Sequence, residues 1–337
     1  MVNAGNPPTA AGMEAAADAV AAALGSSAER HAPLGARTTY RVGGRASVLM
    51  VADSEDELAR VHDALALVRD DSHDSGGCAV PLLVLGNGSN LVVADAGFPG
   101  LVVLLGSGLA GIEITGTTVR AGGAAQLPLV ARRTAAAGLT GLEWAVGVPG
   151  TVGGALKMNA GGHGSDTAAV LVRQRIFDLV AGGGSEGEAE RLELAYRHSS
   201  LTDGEVVVWA EFGLTPTPAT EARAALADVV RWRRAHQPGG SNAGSVFRNP
   251  PGDSAGRLVE AAGLKGFRLG SAQVSGKHAN FIQADEGGSA DDVRRLIEHV
   301  RRVVRDSTGV RLEPEVRFVG FDQGEREKPS PSCGGSL

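Results

Sequence analysis

Two side chains in the second half of the chain have the chemistry to move a proton or hold an anion. Ser245 follows Gly244 in a tight turn, and because no GxSxG elbow surrounds it, an acyl-transfer nucleophile is not predicted. Its hydroxyl can instead deliver a proton if nearby cations stabilise the alkoxide. Arg197 carries a planar fork that binds a carboxylate or phosphate through two bonds. The plainer alternatives stay open, a turn serine for Ser245 and a surface salt bridge for Arg197.

An acidic residue and several cations complete this first set. Glu315 stands beside Pro314 on a short strand, where the ordinary expectation is a surface ion pair with Arg317. Besides Arg197, the cations or donors available to Ser245 are Lys265, Lys277 and His278. No metal site is predicted, because His163 and His278 lack partners at ligand spacing.

Two glycine-rich stretches must position any ligand of these residues. The stretch 147–164 has glycine at seven positions, so a ligand can approach its backbone closely and its N–H groups can face a phosphate. It matches neither the Rossmann fingerprint nor the P-loop. The shorter stretch, Gly86 to Asn90, lies between two apolar runs, where Asn-Gly favours a hairpin turn and the polar side chains can bond a ligand. Taken alone, the stretch 147–164 favours a purely structural loop, and the shorter stretch is as compatible with a plain hairpin as with a ligand site.

Hydrophobic periodicity and turn signals predict alternating short strands and helices. Helices are expected over 9–24, from the Ser54 capping box through Val68, over 126–138, 219–235 and 254–262, and from Ser289 to Gly309. In the helix over 219–235, Leu226, Val229 and Val230 are expected to face inward. Pro216 and Pro218 mark a linker, which places a domain boundary near residue 219.

Composition excludes several classes of protein. The chain has 337 residues, 43% of them hydrophobic, and a formal net charge of −6, so it is long enough for two or three globular domains and too acidic for a general nucleic-acid binder. No apolar run reaches transmembrane length, and no secretion signal is recognised at the N-terminus. Cys78 and Cys333 predict neither a metal site nor a disulfide, which favours a reducing cytoplasm.

An ordered set of motifs resembles one enzyme family, the UDP-N-acetylenolpyruvoylglucosamine reductases of peptidoglycan precursor synthesis. The matching segments span roughly residues 30 to 320: TTYRVGG at 38–44, GNGSNL at 86–91, GLEWAVGVPGTVGGALKMNAG at 141–161, YRHSSL at 196–201, AGSVFRNP at 243–250, AGLKG at 262–266, VSGKHANFI at 274–282 and LEPEVRFVG at 312–320. Each is weak by itself, but their order is specific. The short connection between Tyr196 and Ser245 resembles the family branch that lacks the long substrate-covering tyrosine loop.

The resemblance implies an α+β fold. A two-lobed FAD-binding unit of the vanillyl-alcohol-oxidase (PCMH) type would be followed by a C-terminal α+β substrate domain. The implied divisions are an N-terminal extension over 1–29, partly helical, lobe 1 over 30–105, lobe 2 over 106–218, the substrate domain over 219–320 and a disordered tail over 321–337.

The same resemblance implies a reaction and its residues. NADPH would reduce a non-covalently held FAD, and the reduced flavin would send a hydride to the enolpyruvyl group of UDP-N-acetylglucosamine enolpyruvate. Ser245 would protonate the α-carbon, while Arg197 and Glu315 would stabilise the enolate, Glu315 with a raised pKa. The implied cofactor contacts are Tyr40, Gly86, Asn87, Gly88, Ser89, Asn90, Gly147, Val148, Pro149, Gly150, Thr151, Gly153, Gly154, Ala155, Asn159, Ala160 and Gly161, and the implied substrate contacts are Tyr196, Asn249, Lys265, His278 and Arg317.

A departure and two alternatives accompany this hypothesis. His236 stands where relatives often have lysine, which bears on how the substrate diphosphate is held. A flavin oxidase of the same fold, or a flavin-free sugar-nucleotide-binding protein, would share many of these features. We expect a cytoplasmic monomer that binds neither nucleic acid nor membranes.

Overall fold

The computed structural model describes residues 10–70 and 80–321. Both cysteines, residues 1–9 and the end of the predicted tail lie outside the described residues. Three groups of elements follow one another along the chain, and their bounds are given below in chain order.

Lobe 1 is built on a four-stranded sheet in the order β1-β2-β5-β3. Strand β1 is antiparallel to β2, whereas β2, β5 and β3 are parallel to one another. The sequences of these three parallel strands are almost entirely apolar, which is typical of parallel strands covered on both faces. Helices α1 and α2 pack on one face, where Val20 and Leu58 are buried, so the helical part of the predicted N-terminal extension belongs to this core. The elements are α1 Ala10–Leu24, β1 Ala28–Ala32, β2 Ala46–Ala52, α2 Glu55–Asp70, β3 Leu82–Leu85, β4 Leu91–Val93 and β5 Phe98–Leu105.

The turn at residues 86–90 does not form the hairpin that its Asn-Gly sequence favours when taken alone. Strand β3 ends in the lobe 1 sheet, but β4 lies outside that sheet and pairs in parallel with β18, Arg317–Val319, the last strand of the described residues. The hairpin interpretation is therefore wrong, because long-range pairing of β4 overrides the local turn preference. The turn instead carries the chain from lobe 1 to the C-terminal domain.

Lobe 2 is a five-stranded antiparallel sheet in the order β12-β11-β13-β7-β6. Side chains alternate along β13: Val206 and Val208 enter the core shared with lobe 1, and Val207 enters the core beneath α3 and α4. This alternation holds the two lobes side by side. The elements are β6 Ile112–Thr115, β7 Thr118–Gly122, α3 Leu127–Ala136, β8 Leu139–Thr140, α4 Val152–Met158, β9 Gly161–Gly162, β10 Ser165–Asp166, β11 Leu171–Asp178, β12 Gly184–Glu188, β13 Glu205–Gly213 and β14 Thr215–Pro216.

Helix α5, Ala219–His236, follows the predicted domain boundary but packs on lobe 2. Val229 is buried in the lobe 2 core and Leu226 packs against it. Val230 is 44% exposed, so the prediction that it faces inward is wrong: its neighbour Val229 already occupies the buried stripe of the helix. The boundary near residue 219 stays a prediction.

The C-terminal domain combines the three-stranded sheet β15-β16-β17 with helices α6 and α7. Helix α7 begins at the predicted cap, where the Ser289 hydroxyl accepts from the Asp292 N–H at 3.2 Å, and ends at Gly309, whose φ is +75°. Its apolar face is fully buried. The elements are α6 Ala255–Ala261, β15 Arg268–Leu269, β16 Ala272–Val274, β17 Ile282–Ala284, α7 Ala290–Thr308 and β18 Arg317–Val319.

A carboxylate from lobe 1 also ties the C-terminal domain in place. Asp95, just after β4, accepts hydrogen bonds from the Ser289 hydroxyl and from the N–H groups of Ala290 and Asp291 at the N-terminus of α7. A negative charge is favoured there by the helix dipole and by the unpaired N–H groups.

We predict that Asp95→Ala lowers the free energy of unfolding by about 1 to 2 kcal/mol, the usual range for loss of a helix cap. Asp291→Ala on the same turn, which removes a side chain but leaves the Asp95 bonds, is the matched control and should cost less. Urea unfolding followed by far-UV circular dichroism measures both, and equal losses would show that Asp95 does not cap the helix.

Candidate active site

One cleft of about 640 Å3 lies where the two lobes and the C-terminal domain meet. Both glycine-rich turns line it, together with Ser245, Arg197, Glu315 and Arg317. The side chains predicted to carry the chemistry therefore line the same cleft as the glycine-rich turns predicted to bind a ligand.

The turn at residues 86–90 is built so that side chains are kept off one wall of the cleft. Gly88 has a φ of +58°, and a Cβ there would lie 2.6 Å from the Arg37 carbonyl oxygen. A Cβ on Gly86 would lie 2.5 Å from the Thr151 hydroxyl oxygen. Among the described residues, the backbone N–H groups of residues 87–90 have no hydrogen-bond acceptor. Four free N–H groups facing a cavity are suited to the oxygens of a phosphate.

The second turn lies beside the first on the cleft wall. Thr151 caps helix α4, its hydroxyl accepting from the Gly154 N–H at 3.3 Å, and the Asn87 amide donates to the Pro149 carbonyl, so the two turns contact each other directly. Of the predicted cofactor contacts, these line the cleft: Gly86, Asn87, Gly88, Ser89, Asn90, Val148, Pro149, Gly150, Thr151, Gly153, Gly154, Ala155, Ala160 and Gly161.

Three predicted cofactor contacts lie off the cleft wall. Tyr40 is fully buried in the C-terminal core, where burial raises the pKa of its hydroxyl. Gly147 makes room for a neighbour, since a Cβ there would lie 2.2 Å from Cδ of Arg233. The Asn159 side chain is 2% exposed and is used within the protein, donating to Asp166 and to the Ala195 carbonyl. As cofactor contacts, these three stay predictions.

Arg197 and Glu315 form an ion pair inside the cleft, with Nε of Arg197 2.7 Å from Oε1 of Glu315. Arg197 belongs to a four-residue turn closed by mutual hydrogen bonds between Ala195 and His198, and Glu315 lies just before β18. The side chains of the pair are only 20% and 14% exposed. The Arg197 guanidinium also donates to the Gly161 carbonyl at 3.3 Å, which fixes it against the second glycine-rich turn.

The expectation of a surface ion pair between Glu315 and Arg317 is wrong. Glu315 lies before β18 and reaches Arg197, whereas Arg317, the first residue of β18, reaches Asp203 at 2.9 Å. Burial raises the pKa of Glu315 above its ordinary value of 4.5, against the opposing charges of Arg197 and Arg248. A carboxyl that retains its proton beside an arginine can donate a hydrogen bond to an anion.

Ser245 is held at the cleft by the segment that pairs with the Glu315 segment. Gly244 has a φ of +76°, and its N–H donates to the Asn242 side chain at 3.0 Å. The Glu315 N–H donates to the Val246 carbonyl at 2.7 Å. The Ser245 hydroxyl has no hydrogen-bond partner among the described residues, and it therefore remains available to a ligand.

Four of the predicted substrate contacts do not line the cleft as it stands. Tyr196 is 55% exposed, with its ring 5.2 Å from the Arg197 guanidinium carbon, and Asn249 accepts from the N–H of Ala255 at 3.0 Å. Lys265 pairs with Glu260 at 2.8 Å. The ring of His278 packs on Phe281, and burial lowers its pKa. Arg317 alone of this group lines the cleft, and all five roles stay predictions.

Sequence reasoning missed several charged residues of the cleft. Arg233 lines it with no carboxylate partner among the described residues, and burial lowers the pKa of its guanidinium. Lys157 lies 3.1 Å from Asp203, which also holds Arg317. Burial would raise the pKa of Asp203, but the charges of Arg317 and Lys157 outweigh it and the pKa falls. Lys157 could have been found from the sequence, because it is the one lysine within the glycine-rich stretch 147–164. Nothing in the sequence distinguishes Asp203 and Arg233 from ordinary surface charges.

Two other kinds of feature, a metal-binding cluster and a membrane-spanning helix, are absent from the described residues. Within residues 10–70 and 80–321, no group of three His, Cys, Asp or Glu side chains is placed to hold a metal ion. In the same residues, no helix has the length and apolar character needed to cross a membrane.

Comparison with known proteins first defines the class of this protein. A family model described as an FAD binding domain matches residues 47–183, which contain both glycine-rich turns. Free backbone N–H groups and side-chain-free walls fit a dinucleotide cofactor at these turns. The protein is therefore an FAD-dependent oxidoreductase, whose hard chemistry belongs to the flavin.

The particular family follows from matches over most of the chain. Residues 236–319 match the model of the UDP-N-acetylenolpyruvoylglucosamine reductase C-terminal domain. The protein of that name from Rubrobacter xylanophilus is 43% identical over 86% of this chain and 94% of its own, and one from Symbiobacterium thermophilum is 44% identical over 87% and 92%. The crystal structure of the Thermus caldophilus enzyme, 36% identical, superposes with a TM-score of 0.74 and covers 87% of this chain and 98% of that one. The chain belongs to the UDP-N-acetylenolpyruvoylglucosamine reductase family.

Several predictions are confirmed by this membership. They are the α+β fold with a two-lobed FAD-binding unit, the FAD cofactor, the oxidoreductase class and the reduction of the enolpyruvyl sugar nucleotide as the reaction of the family. The match to an FAD binding domain favours the reductase over a flavin-free binding protein.

We predict that Gly150→Val yields protein with little bound FAD but a normal fold. A Cβ on Gly150 would be in ordinary contact, 3.4 Å from the Ser89 hydroxyl, and Gly150 lines the cleft, so we expect the larger side chain to compete with the cofactor more than with the fold. Flavin absorbance per protein and the thermal midpoint of flavin-stripped protein measure the two effects. Gly111→Val, where a Cβ meets nothing within 4 Å, is the control and should retain its flavin. A full complement of flavin in Gly150→Val would remove this turn from the cofactor site.

We also predict a pH-dependent stability difference between wild type and Glu315→Gln. A folded-state pKa raised above 4.5 means that the native protein keeps a proton that the unfolded chain has released, so wild-type stability is lost as the pH rises from about 4.5 through the raised pKa. Glutamine cannot ionise, and the stability of the variant relative to wild type should therefore grow over that window.

Urea unfolding at a series of pH values measures the difference. Asp203→Asn is the control of opposite sign: because the pKa of Asp203 is lowered, wild type should gain stability over this variant as the pH rises through the unfolded value near 3.8. A pH-independent difference for Glu315→Gln would contradict a raised pKa.

Proposed function

We propose that this chain reduces the enolpyruvyl group of UDP-N-acetylglucosamine enolpyruvate with NADPH, and that Ser245, Arg197 and Glu315 carry the second half of the reaction. The observation that carries the assignment is the half-buried pair Arg197–Glu315, 2.7 Å apart, on the same cleft as Ser245 and the glycine-rich turns. When bound at those turns, FAD supplies the relay of a hydride from NADPH to the β-carbon of the substrate.

Arg197 and Glu315 stabilise the anion formed by that hydride transfer. As the hydride arrives at the β-carbon, the electron pair of the C=C bond moves through the α-carbon onto the substrate carboxylate. The Arg197 fork supplies positive charge and paired hydrogen bonds at these oxygens. Glu315 donates a hydrogen bond in its protonated form, which its raised pKa favours, because an ionised carboxylate would repel the enolate.

Ser245 completes the reduction by protonation. Its hydroxyl proton passes to the α-carbon, the enolate collapses to a carboxylate beside a saturated ether carbon, and the serine alkoxide recovers a proton from water. NADPH is oxidised to NADP+ and the double bond is reduced, so the electrons balance. The free serine hydroxyl at the cleft suits this role, because nothing in the described protein competes for its proton.

Charged residues of the cleft, of which only Arg317 was singled out from the sequence, have a role in holding the diphosphate. Arg233 lies on the cleft wall and has no carboxylate partner within residues 10–70 and 80–321, and Lys157 and Arg317 lie together around Asp203. His236 stacks on Trp232 with ring centroids 4.6 Å apart, so the histidine found in place of the usual lysine is engaged with an aromatic ring. Arg233 on the neighbouring turn of the helix therefore supplies the charge that His236 does not. A monomeric state and a cytoplasmic location remain expectations from the sequence.

The proposal is tested by following the two half-reactions separately. In Ser245→Ala, NADPH should reduce the flavin at the wild-type rate. Reoxidation of that flavin by the enolpyruvyl substrate should be slower by a factor of about 10² or more, the scale for loss of a positioned acid. Ser245→Cys should recover part of the rate, since a thiol still donates. Arg197→Lys should slow the same half-reaction, because an ammonium lacks the bidentate fork.

Stopped-flow absorbance of the flavin measures both halves. Equal slowing of reduction and reoxidation in Ser245→Ala would show that the serine shapes the cleft and does not deliver the proton. Failure of the wild-type flavin to be reoxidised by this substrate would overturn the proposed reaction itself.

A further inference from the structure

We propose that Arg248 is a positioning residue of the reaction: it fixes the backbone of Arg197 and provides a second positive charge facing Glu315. This inference rests on the proposed function of the Arg197–Glu315 pair. Arg248 does not line the cleft, so it acts through those two residues.

The backbone of Arg197 needs support that its own turn does not supply. Its φ is +55°, the left-handed region that non-glycine residues rarely adopt and that costs on the order of 1 kcal/mol. It occupies the third position of the turn Ala195 to His198, where a positive φ is required in some turn types and is usually supplied by glycine. Replacing arginine by glycine would relieve the strain but remove the fork, so the conformation has to be held from outside.

Arg248 contacts this strained residue directly. Its Nη2 donates to the Arg197 carbonyl oxygen at 3.2 Å, and among the described residues no other group donates to that oxygen. An arginine carbonyl that rotated away would lose this bond. The side chain of Arg248 therefore fixes the peptide plane from which the Arg197 fork projects.

The position of Arg248 is itself set by the strand segment that carries Glu315. The Arg248 N–H donates to the Glu313 carbonyl at 2.9 Å, while the Glu315 N–H donates to the Val246 carbonyl at 2.7 Å. These bonds pair the Ser245 segment with the Glu315 segment around Phe247 and Pro314. Arg248 thus couples three parts of the site: the serine-bearing segment to which it belongs, the carboxyl-bearing segment and the turn of Arg197.

Arg248 also acts on Glu315 through its charge. After burial, which raises the pKa of Glu315, the groups that alter it are Arg197 from the turn and Arg248 from the paired segment, and both lower it. No other titratable group of the described residues contributes. The positive charges of Arg197 and Arg248 partly offset the effect of burial on the pKa of Glu315. Removing the charge of Arg248 is therefore expected to raise this pKa further.

The test replaces Arg248 with methionine, lysine and glutamine in the FAD-loaded enzyme. Arg248→Met should leave flavin reduction by NADPH near wild type and slow reoxidation by UDP-N-acetylglucosamine enolpyruvate about 10- to 100-fold, the scale for displacing a reacting group by about 1 Å. Arg248→Lys should recover most of the loss, because an ammonium retains both the charge and a donor for the carbonyl. Arg311→Met removes an exposed arginine of the same domain and should match wild type in both halves.

The pH profile of reoxidation separates positioning from general support of the fold. If protonated Glu315 is required, the rate falls as the pH rises through its pKa, and this basic limb should lie at higher pH in Arg248→Met and Arg248→Gln than in wild type or Arg248→Lys. A structural role alone would lower the rate without moving the limb. Should Arg248→Met not fold, the comparison of Arg248→Gln with Arg248→Lys gives the same readout.

Two results would overturn the inference. One is wild-type reoxidation in Arg248→Met, and the other is slowing of both half-reactions with an unmoved basic limb. Neither is confused with failure of the proposed function, which would appear as absent reoxidation in the wild-type enzyme itself.

Discussion

The ion pair between Arg197 and Glu315 sets the electrostatics of the cleft, and it depends on contacts between distant parts of the chain. Arg197 comes from a turn of lobe 2, and Glu315 comes from the last segment of the C-terminal domain, 118 positions later in the sequence. They can meet only if β18 returns to pair with β4 and if the Ser245 segment pairs with the segment before β18. The long-range pairing of two three-residue strands therefore decides whether the cleft has its chemistry.

Partial burial of this pair has two effects: it strengthens the attraction between the charges, and it costs free energy because both groups lose water. Desolvation favours the neutral carboxyl, and two arginines favour the ionised one, so the proton on Glu315 is held by a balance of opposing effects. Such a balance suits the role proposed for Glu315, in which it must not repel a substrate anion yet must remain next to a cation. The group of Lys157, Asp203 and Arg317 shows the opposite outcome, since there the two cations outweigh burial and lower the pKa of the Asp203 carboxylate.

Glycine serves two different purposes around the cleft. At Gly88 the left-handed φ and the close Arg37 carbonyl exclude any side chain, so the residue is required by the fold as well as by the ligand. At Gly150 there is room for a Cβ, and the absence of one matters only to what occupies the cleft. A substitution at Gly88 would therefore confuse loss of cofactor with loss of structure, whereas one at Gly150 would not.

The amino-acid sequence by itself determined most of the local structure and the identity of the chemistry. Helix α7 follows from its apolar spacing and from Ser289 and Gly309 at its ends, because these signals act within a few residues. The ordered motifs were enough to identify the family and the FAD cofactor. Tertiary structure decided what depends on distant segments: that the turn at residues 86–90 bridges two domains instead of closing a hairpin, that Val230 faces solvent, that Glu315 pairs with Arg197 and not with Arg317, and that Arg248 holds a strained carbonyl. None of these contacts leaves a periodic or spaced signal in the chain, because each depends on which segments the buried strands bring together.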